Sequence, residues 1–371
     1  MDFRLSTEQR ALQADAASFI DANYQPDERR RIAFGDLGFD RDHWQQLCKS
    51  AWFDSFDMPR SLLDLCLISQ QLGVGLFPSP LIESACVAGG LLRELGTEEQ
   101  QQNHLAPLLS GERLVSAALF ESDCRWELKN ISSRCIANDQ RYVLSGVKSM
   151  VNWAAQSEQI LVAARTSGKP GDEKGLSLFL VPSDCNGVII NPVKTQTGTP
   201  AAQIEFDNVV LNGDSLIGQL DTAYSSLRMV FNQACVVLSA YGIGAMQGAV
   251  DWTIKHLKER QQFGTPLSDF QALQHRVVDM FTRVQEAESL LYLSALKVAT
   301  NDNADRMSSA VKSGVGRSGR FVGENLIQLH GGWGMRDDHL AGQFLKAMMA
   351  VDAQFGNADF HTQRFLNSVS D

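Results

Sequence analysis

Arg260 opens the stretch RQQFGTPLSDFQALQH, Arg260 to His275, at the end of a long apolar run. A guanidinium is a planar fork of donors whose geometry suits a diphosphate. Gln271 in the same stretch, and Gln328 farther along, carry amides that can bond a pyrophosphate or a ribose. Gly331, Gly332 and Gly334 follow within QLHGGWG, and glycine lets a backbone approach a ligand closely. Together these residue types point to a nucleotide-like cofactor. Each alone has a plainer reading: an arginine after a helix is ordinarily solvated, and a Gly-Gly pair ordinarily ends a helix. The glycines are not a Rossmann fingerprint, which follows a strand and opens a helix; these follow the helical run FVGENLIQL.

The elements that must hold these residues read clearly. Residues 4 to about 112 carry apolar positions three and four apart, as in RDHWQQLCKSAWF and SPLIESACVAGGLLRELG. Ser6, with Gln9 three residues on, is a capping-box pattern for the first helix. Near residue 114 the pattern changes to short β-branched runs: RLVSAALF, SRCIAND, RYVLSGVKSMV, QILVAAR, LSLFLVP, GVIINPVK and AAQIEFDNVVL. Polar turns separate them, and no helical period intervenes, so a β-sandwich or barrel is expected rather than a parallel Rossmann sheet. From about Thr222 three long helical runs return, with small residues on several faces, as an antiparallel bundle requires. The expected class is an α+β multidomain chain: a helical domain over 1–113, a β domain over 114–220 and a helical bundle over 221–371.

The net charge of -10 argues against a nucleic-acid partner. The seven cysteines are scattered and lack CxxC spacing, which fits reduced cytosolic thiols better than disulfides or a zinc site. The N-terminus MDFRLSTEQRALQ is charged and amphipathic, unlike a signal peptide. No uncharged apolar run is long enough to span a bilayer. The chain is therefore expected to be cytoplasmic.

Four ordered stretches carry a resemblance: RQQFGTPLSDFQALQH, QLHGGWG, LFLVP and GVIINPVKTQTGTPAAQIEFDNVVLNGDSLIG. Across nearly its whole length the chain resembles the acyl-CoA dehydrogenase family of flavoproteins. The resemblance implies a C-terminal four-helix bundle and FAD as cofactor. It assigns Arg260, Gln262, Phe263, Leu267, Phe270, Gln271 and Gln274 to the FAD of one subunit. Gln328, Gly331, Gly332 and Gly334 would reach it from another. It further implies an acyl-CoA substrate, an electron-transfer flavoprotein or similar acceptor, and a dimer or tetramer with the same or a homologous subunit.

The match is looser in the β domain. AALFESDCRW stands where the family often has Thr-Glu-Pro-Gly-Gly-Ser-Asp, so Glu121, Ser122 and Asp123 are its remnant without the proline and glycines. KSMVNWA puts Met150, Val151 and Asn152 where the family has Trp-Ile-Thr or Trp-Ile-Ser against the flavin ring. An asparagine amide can donate to the flavin there, and methionine can pack on a ring face. An ordinary strand end reads equally well. Ahead of the β domain, AWFDSFDMPRSLLDLCLISQQLG lacks the family's Pro-Glu-x-x-Gly-Gly loop, which would leave a more open acyl pocket.

The proton-abstracting glutamate is missing. Counting from Phe344 puts Gln354 at its position, and counting back from Gln363 and Arg364 puts Asn357 there. The other position the family uses falls near Ala234. An amide cannot serve as a base. Asp352 is the nearest candidate base, and Asp359 the other nearby carboxylate. Either reads equally as a cap or a surface ion pair, and His361 as a surface residue. FGNADFH resembles the Phe-Gly-Asp-Ala-Asp-x-His ending of members linked to steroid side-chain breakdown, some of them heteromers in which one subunit supplies the base. Three functions are open at this point. The first is a catalytic acyl-CoA dehydrogenase subunit. The second is a non-catalytic, FAD-sharing partner subunit. The third is a flavin oxidase or monooxygenase on the same fold.

Overall fold

The computed structural model describes residues 4–24, 26–50, 61–138 and 141–368. Its helices are α1 (Thr7–Asn23), α2 (Pro26–Ala33), α3 (Arg41–Lys49), α4 (Ser61–Val74), α5 (Gly89–Leu95), α6 (Glu98–Gln100), α7 (Ala106–Leu109), α8 (Tyr224–Glu259), α9 (Gln271–Ala299), α10 (Ala304–His330), α11 (Leu340–Ala353) and α12 (Ala358–Asn367). A π-helical stretch, Leu81–Ala88, leads into α5. The strands are β1 (Val115–Ala118), β2 (Arg134–Asn138), β3 (Arg141–Asn152), β4 (Gln159–Arg165), β5 (Leu176–Pro182), β6 (Val188–Val193), β7 (Ala201–Asn212), β8 (Leu216–Ile217), β9 (Gln261–Gln262) and β10 (Thr265–Pro266). Each of the β-branched runs has become a strand, and the order is helical, then β, then helical. The start of the segment lacking the Pro-Glu-x-x-Gly-Gly loop, 51–60, lies outside the described residues.

The chain forms two compact units. One gathers the described residues of Met1–Arg31, Asp54–Phe77 and Cys235–Asp371; the other gathers Ile32–Phe53 and Pro78–Ala234.

In the second unit the strand order is β6-β7-β3-β2-β4-β5-β8, with β1 parallel to β4. The long β3–β7 and β4–β5 pairs are antiparallel, so this is no Rossmann sheet. A single parallel pair, Arg134 with Arg165, joins β2 to β4. The two halves of the sheet meet at this single bridge. Arg165 stabilises it by donating to the carbonyls of Ile131, Lys129 and Lys174. Leu144, Ile204 and Phe206 from one side then share a core with Ile160, Val162, Phe179 and Val181 from the other. Alternation on β7 builds that core: Ile204, Phe206, Val209 and Leu211 are buried while Gln203, Glu205 and Val210 are exposed.

In the first unit α1 begins on the expected capping box: Ser6 Oγ accepts from Gln9 N, and Gln9 Oε1 from Ser6 N, both at 3.1 Å. The small residues of the long runs have a packing reason. A Cβ on Gly73 would strike the Tyr241 carbonyl, and one on Gly244 the Gln70 carbonyl, so α4 and α8 approach backbone to backbone. α10 packs on α9, α11 and α12. Helix α8 is long and apolar enough to cross a membrane, but 89% of that stretch is buried within the protein. An apolar stretch covered in this way belongs to a core helix.

Candidate functional site

The Arg260 stretch is a tight hairpin on the end of α8. Gln262 pairs with Thr265, and Phe263 and Gly264 form the turn with φ of 57° and 82°. Positive φ at both turn residues matches the right-handed twist of the strands, and glycine at the second makes it cheap. Leu267 N donates to the Arg260 carbonyl at 2.9 Å, which folds the chain back to Phe270, the N-cap of α9. Gln274 Nε2 donates to the Ser268 carbonyl, so Gln274 is a brace for this turn. Gln262 Nε2 donates to the Gln261 carbonyl. Phe263 is 91% exposed and meets Phe270 edge-on. The side chains of Arg260 and Gln271 are exposed and make no hydrogen bond among the described residues.

The glycine segment is a 3-10 turn, Gly331–Met335, that stops α10. Gly331 closes the helix with φ 59° and ψ -140°, a region only glycine occupies readily. No atom lies within 4 Å of a Cβ built on Gly331 or Gly332, whereas one on Gly334 would meet the Ile327 carbonyl at 3.0 Å. Two of the three glycines thus bare their backbone and the third packs. Gln328 is exposed, and its amide makes no hydrogen bond among the described residues.

Beside this turn lies a group that sequence reasoning missed. His330 is buried; its Nδ1 donates to the Leu326 carbonyl at 2.9 Å and its ring stacks on His256 at 4.3 Å. His339 meets its edge at 5.3 Å. Burial first, then the two neighbouring rings, outweighs the Leu326 bond and pushes the His330 pKa down to about 4.

The C-terminal acids and amides are committed to helix ends. The Asp352 carboxylate accepts from Ala358 N at 2.9 Å, at the start of α12. Asn357 caps the same helix through Phe360 N at 2.9 Å, and Gln354 is the C-cap of α11. Asp359 is an exposed residue in the first turn of α12, where a negative charge suits the helix dipole. Ala234 is fully buried. His361, read from sequence as a surface residue, is buried instead. Its Nε2 meets the Phe355 carbonyl at 3.0 Å and its Nδ1 the Ser309 hydroxyl at 3.3 Å. Lys312 is also fully buried, donating to the carbonyls of Val351, Asp352 and Gly356. Sequence reading missed it because helical periodicity alone does not reveal which charge faces a neighbouring helix end.

Burial, followed by the Lys312 charge, pushes His361 down to about 3 from an ordinary 6.5. Between these values the unfolded chain binds more protons than the folded one, so stability falls as pH drops below 6.5. The thermal midpoint should therefore decline steadily from pH 7 to pH 4.5, with a shallower decline in His361→Gln. A wild-type midpoint flat across that range would show that His361 and His330 are not held neutral.

In the β unit Met150 and Asn152 sit on an irregular stretch at the end of β3. The β3–β7 register shifts between Lys148 and Val151, and Met150 and Trp153 take φ of 52° and 63°. Met150 is 59% exposed. Asn152 Nδ2 donates to Glu83 Oε1 at 2.6 Å, and Trp153 Nε1 to Glu83 Oε2 at 3.3 Å. Glu121 is engaged inside the protein: Oε1 accepts from Lys148 Nζ at 2.7 Å and Ser133 N at 3.0 Å, and Oε2 from Ser132 N at 2.9 Å. Burial would raise its pKa, but the Lys148 ammonium and the serine donors win and hold it at about 2. Ser122 and Asp123 are exposed, with a long 3.4 Å bond between them.

The residues present fit a flavin dinucleotide in part. In the first unit Arg260, Gln271 and Gln328 have donors to give, Gly331 and Gly332 bare their backbone and Phe263 is exposed; in the second, taken by itself, Met150 offers apolar surface. The Glu121 carboxylate is already engaged by Lys148, Ser132 and Ser133.

Comparison with known proteins agrees along the chain. Residues 6–112, 116–209 and 224–368 match the family descriptions "Acyl-CoA dehydrogenase, N-terminal domain", "middle domain" and "C-terminal domain". A 3-(aryl)acrylate reductase from Clostridium sporogenes is 28% identical over 248 residues, 66% of each chain, so the match spans just under two thirds of that relative. The ChsE4-ChsE5 complex from Mycobacterium tuberculosis shares the fold with a TM-score of 0.89 at 22% identity, covering 100% of this chain and 99% of that one. An FAD complex of PigA does so with a TM-score of 0.91 at 22% identity, covering 100% and 99%.

Proposed function

The chain belongs to the acyl-CoA dehydrogenase family, and on that premise we propose that it is an FAD-binding subunit for the α,β-dehydrogenation of an acyl-CoA thioester, paired with a homologous subunit that supplies the base. One observation carries the reading. Arg260, Gln271 and Gln328 keep side-chain donors to spare, while Asp352, Asn357 and Gln354 are built into the ends of α11 and α12. The chain is equipped for a dinucleotide and not for proton abstraction.

FAD, when bound, accepts the hydride from the substrate's β-carbon. Arg260 would hold the diphosphate, and Gln328 with the Gly331–Gly332 backbone would supply further donors. Met150 and Asn152 would lie toward the ring. The FAD complex of PigA and the paired ChsE4-ChsE5 complex support the cofactor and the heteromer by likeness of fold. The FGNADFH ending supports a bulky, steroid-derived acyl group. An electron-transfer flavoprotein is the acceptor the family resemblance supports.

Purification alone and with a co-expressed homologue tests the reading, scored by the visible flavin spectrum. Arg260→Ala removes a charge-assisted donor pair, about 1.5–3 kcal/mol, so FAD affinity should weaken between about tenfold and a hundredfold. A colourless protein in both preparations would refute the proposal.

A further inference from the structure

We infer that Glu83 is a positioning residue for the flavin-facing edge, acting through Asn152; the inference rests on the proposed function, which places Asn152 against the ring. A carboxylate is rarely buried unless it is held by donors. Glu83 lies buried in the apolar run LIESACVA, within the π-helical stretch Leu81–Ala88. Such local widenings of a helix are frequent at functional sites. Here the two carboxylate oxygens take the side-chain donors of two consecutive residues, Asn152 and Trp153. The neighbouring Ser84 Oγ accepts from Val115 N at 3.2 Å, tying the same turn to β1.

The clamped edge is strained. Met150 and Trp153 both have positive φ, and such backbone persists only where its surroundings hold it. Trp153 has its own support, an edge contact with Phe39 at 5.4 Å. Asn152 is half-buried, and its Glu83 bond sets which way its amide points. An amide has two N–H donors. With one bound to Glu83, the other and the carbonyl oxygen have set directions toward a ring beside them. Glu83 thereby decides what Asn152 presents to the flavin without touching it.

The test uses the full chain, with its co-expressed homologue where flavin binding requires one. FAD affinity is read by flavin fluorescence and the reduction potential by spectroelectrochemistry, for Glu83→Ala, Glu83→Gln, Asn152→Ala and the Glu83→Ala/Asn152→Ala pair. Each alanine variant should weaken FAD about tenfold, the worth of one hydrogen bond, and shift the potential. The double variant should be no weaker than either single one. Glu83→Gln should stay within about threefold of wild type, because its amide oxygen still accepts from Asn152. Wild-type affinity and potential in Asn152→Ala would overturn the inference, and that variant carries the test even if Glu83→Ala does not fold. Additive losses in the double variant, or a Glu83→Gln as weak as Glu83→Ala, would overturn it too. A wild type that takes up no FAD in either preparation is a different failure, of the proposed function itself.

Discussion

Replacing Lys148 with methionine is expected to destabilise the protein by about 3–5 kcal/mol, the usual cost of removing one partner of a buried ion pair. Lys148 is fully buried, and its ammonium meets the Glu121 carboxylate at 2.7 Å and the Leu119 carbonyl at 3.3 Å. Methionine matches its length but leaves Glu121 to Ser132 and Ser133 alone. The pair spans β3 and the segment after β1, so its loss loosens both. Replacing both partners by Lys148→Met/Glu121→Gln should recover more than half of the loss, because no charge is then stranded. The pH dependence has a definite sign. A carboxyl held down at about 2 against an ordinary 4.5 contributes stability that is complete above 4.5 and is lost as pH falls toward 2. The gap between wild type and Lys148→Met should therefore narrow in acid. Urea titrations at pH 7 and pH 3.5 measure it. A single variant within 1 kcal/mol of wild type at pH 7 would show that the pair contributes little.

The fold was legible because its signals are local. Ser6 and Gln9 sit at capping spacing and cap α1, and the alternation of Ile204, Glu205 and Phe206 names the inward face of β7 without help from elsewhere. The Arg260 and Gln328 stretches stood out because spare donors and glycines serve no packing purpose that a sequence pattern can supply. What escaped notice depends on distant partners. Lys148 falls in phase with Leu144 on the inward face of β3, a sign that an acid must meet it, but nothing local says that the acid is Glu121. Glu83, a lone acid in an apolar run, carried the same kind of signal. Asp352 depends on distant geometry too. Closeness in sequence to the expected base position made it a candidate, and only the path of the chain into α12 reveals that its carboxylate faces Ala358 N.

That geometry gives the C-terminal acid its own expected result. Asp352→Asn should leave turnover of the flavin-loaded heteromer within about twofold, whereas removal of a general base costs about a hundredfold to ten-thousandfold. Asparagine keeps an oxygen that can accept from Ala358 N, so its stability should also change little. Asp352→Ala removes the cap and should destabilise by about 1 kcal/mol, again with turnover retained. The same reasoning predicts that the chain purified alone, even with FAD bound, turns over at least about a hundredfold more slowly than the heteromer. The two measurements check each other. If Asp352→Asn abolished turnover while the chain alone were fully active, Asp352 would be the base and no partner would be needed. If Asp352→Asn were silent and the chain alone still active, the base would lie elsewhere in this chain. Only a silent Asp352→Asn together with an inactive lone subunit agrees with a carboxylate that caps α12 and a proton that leaves to the partner.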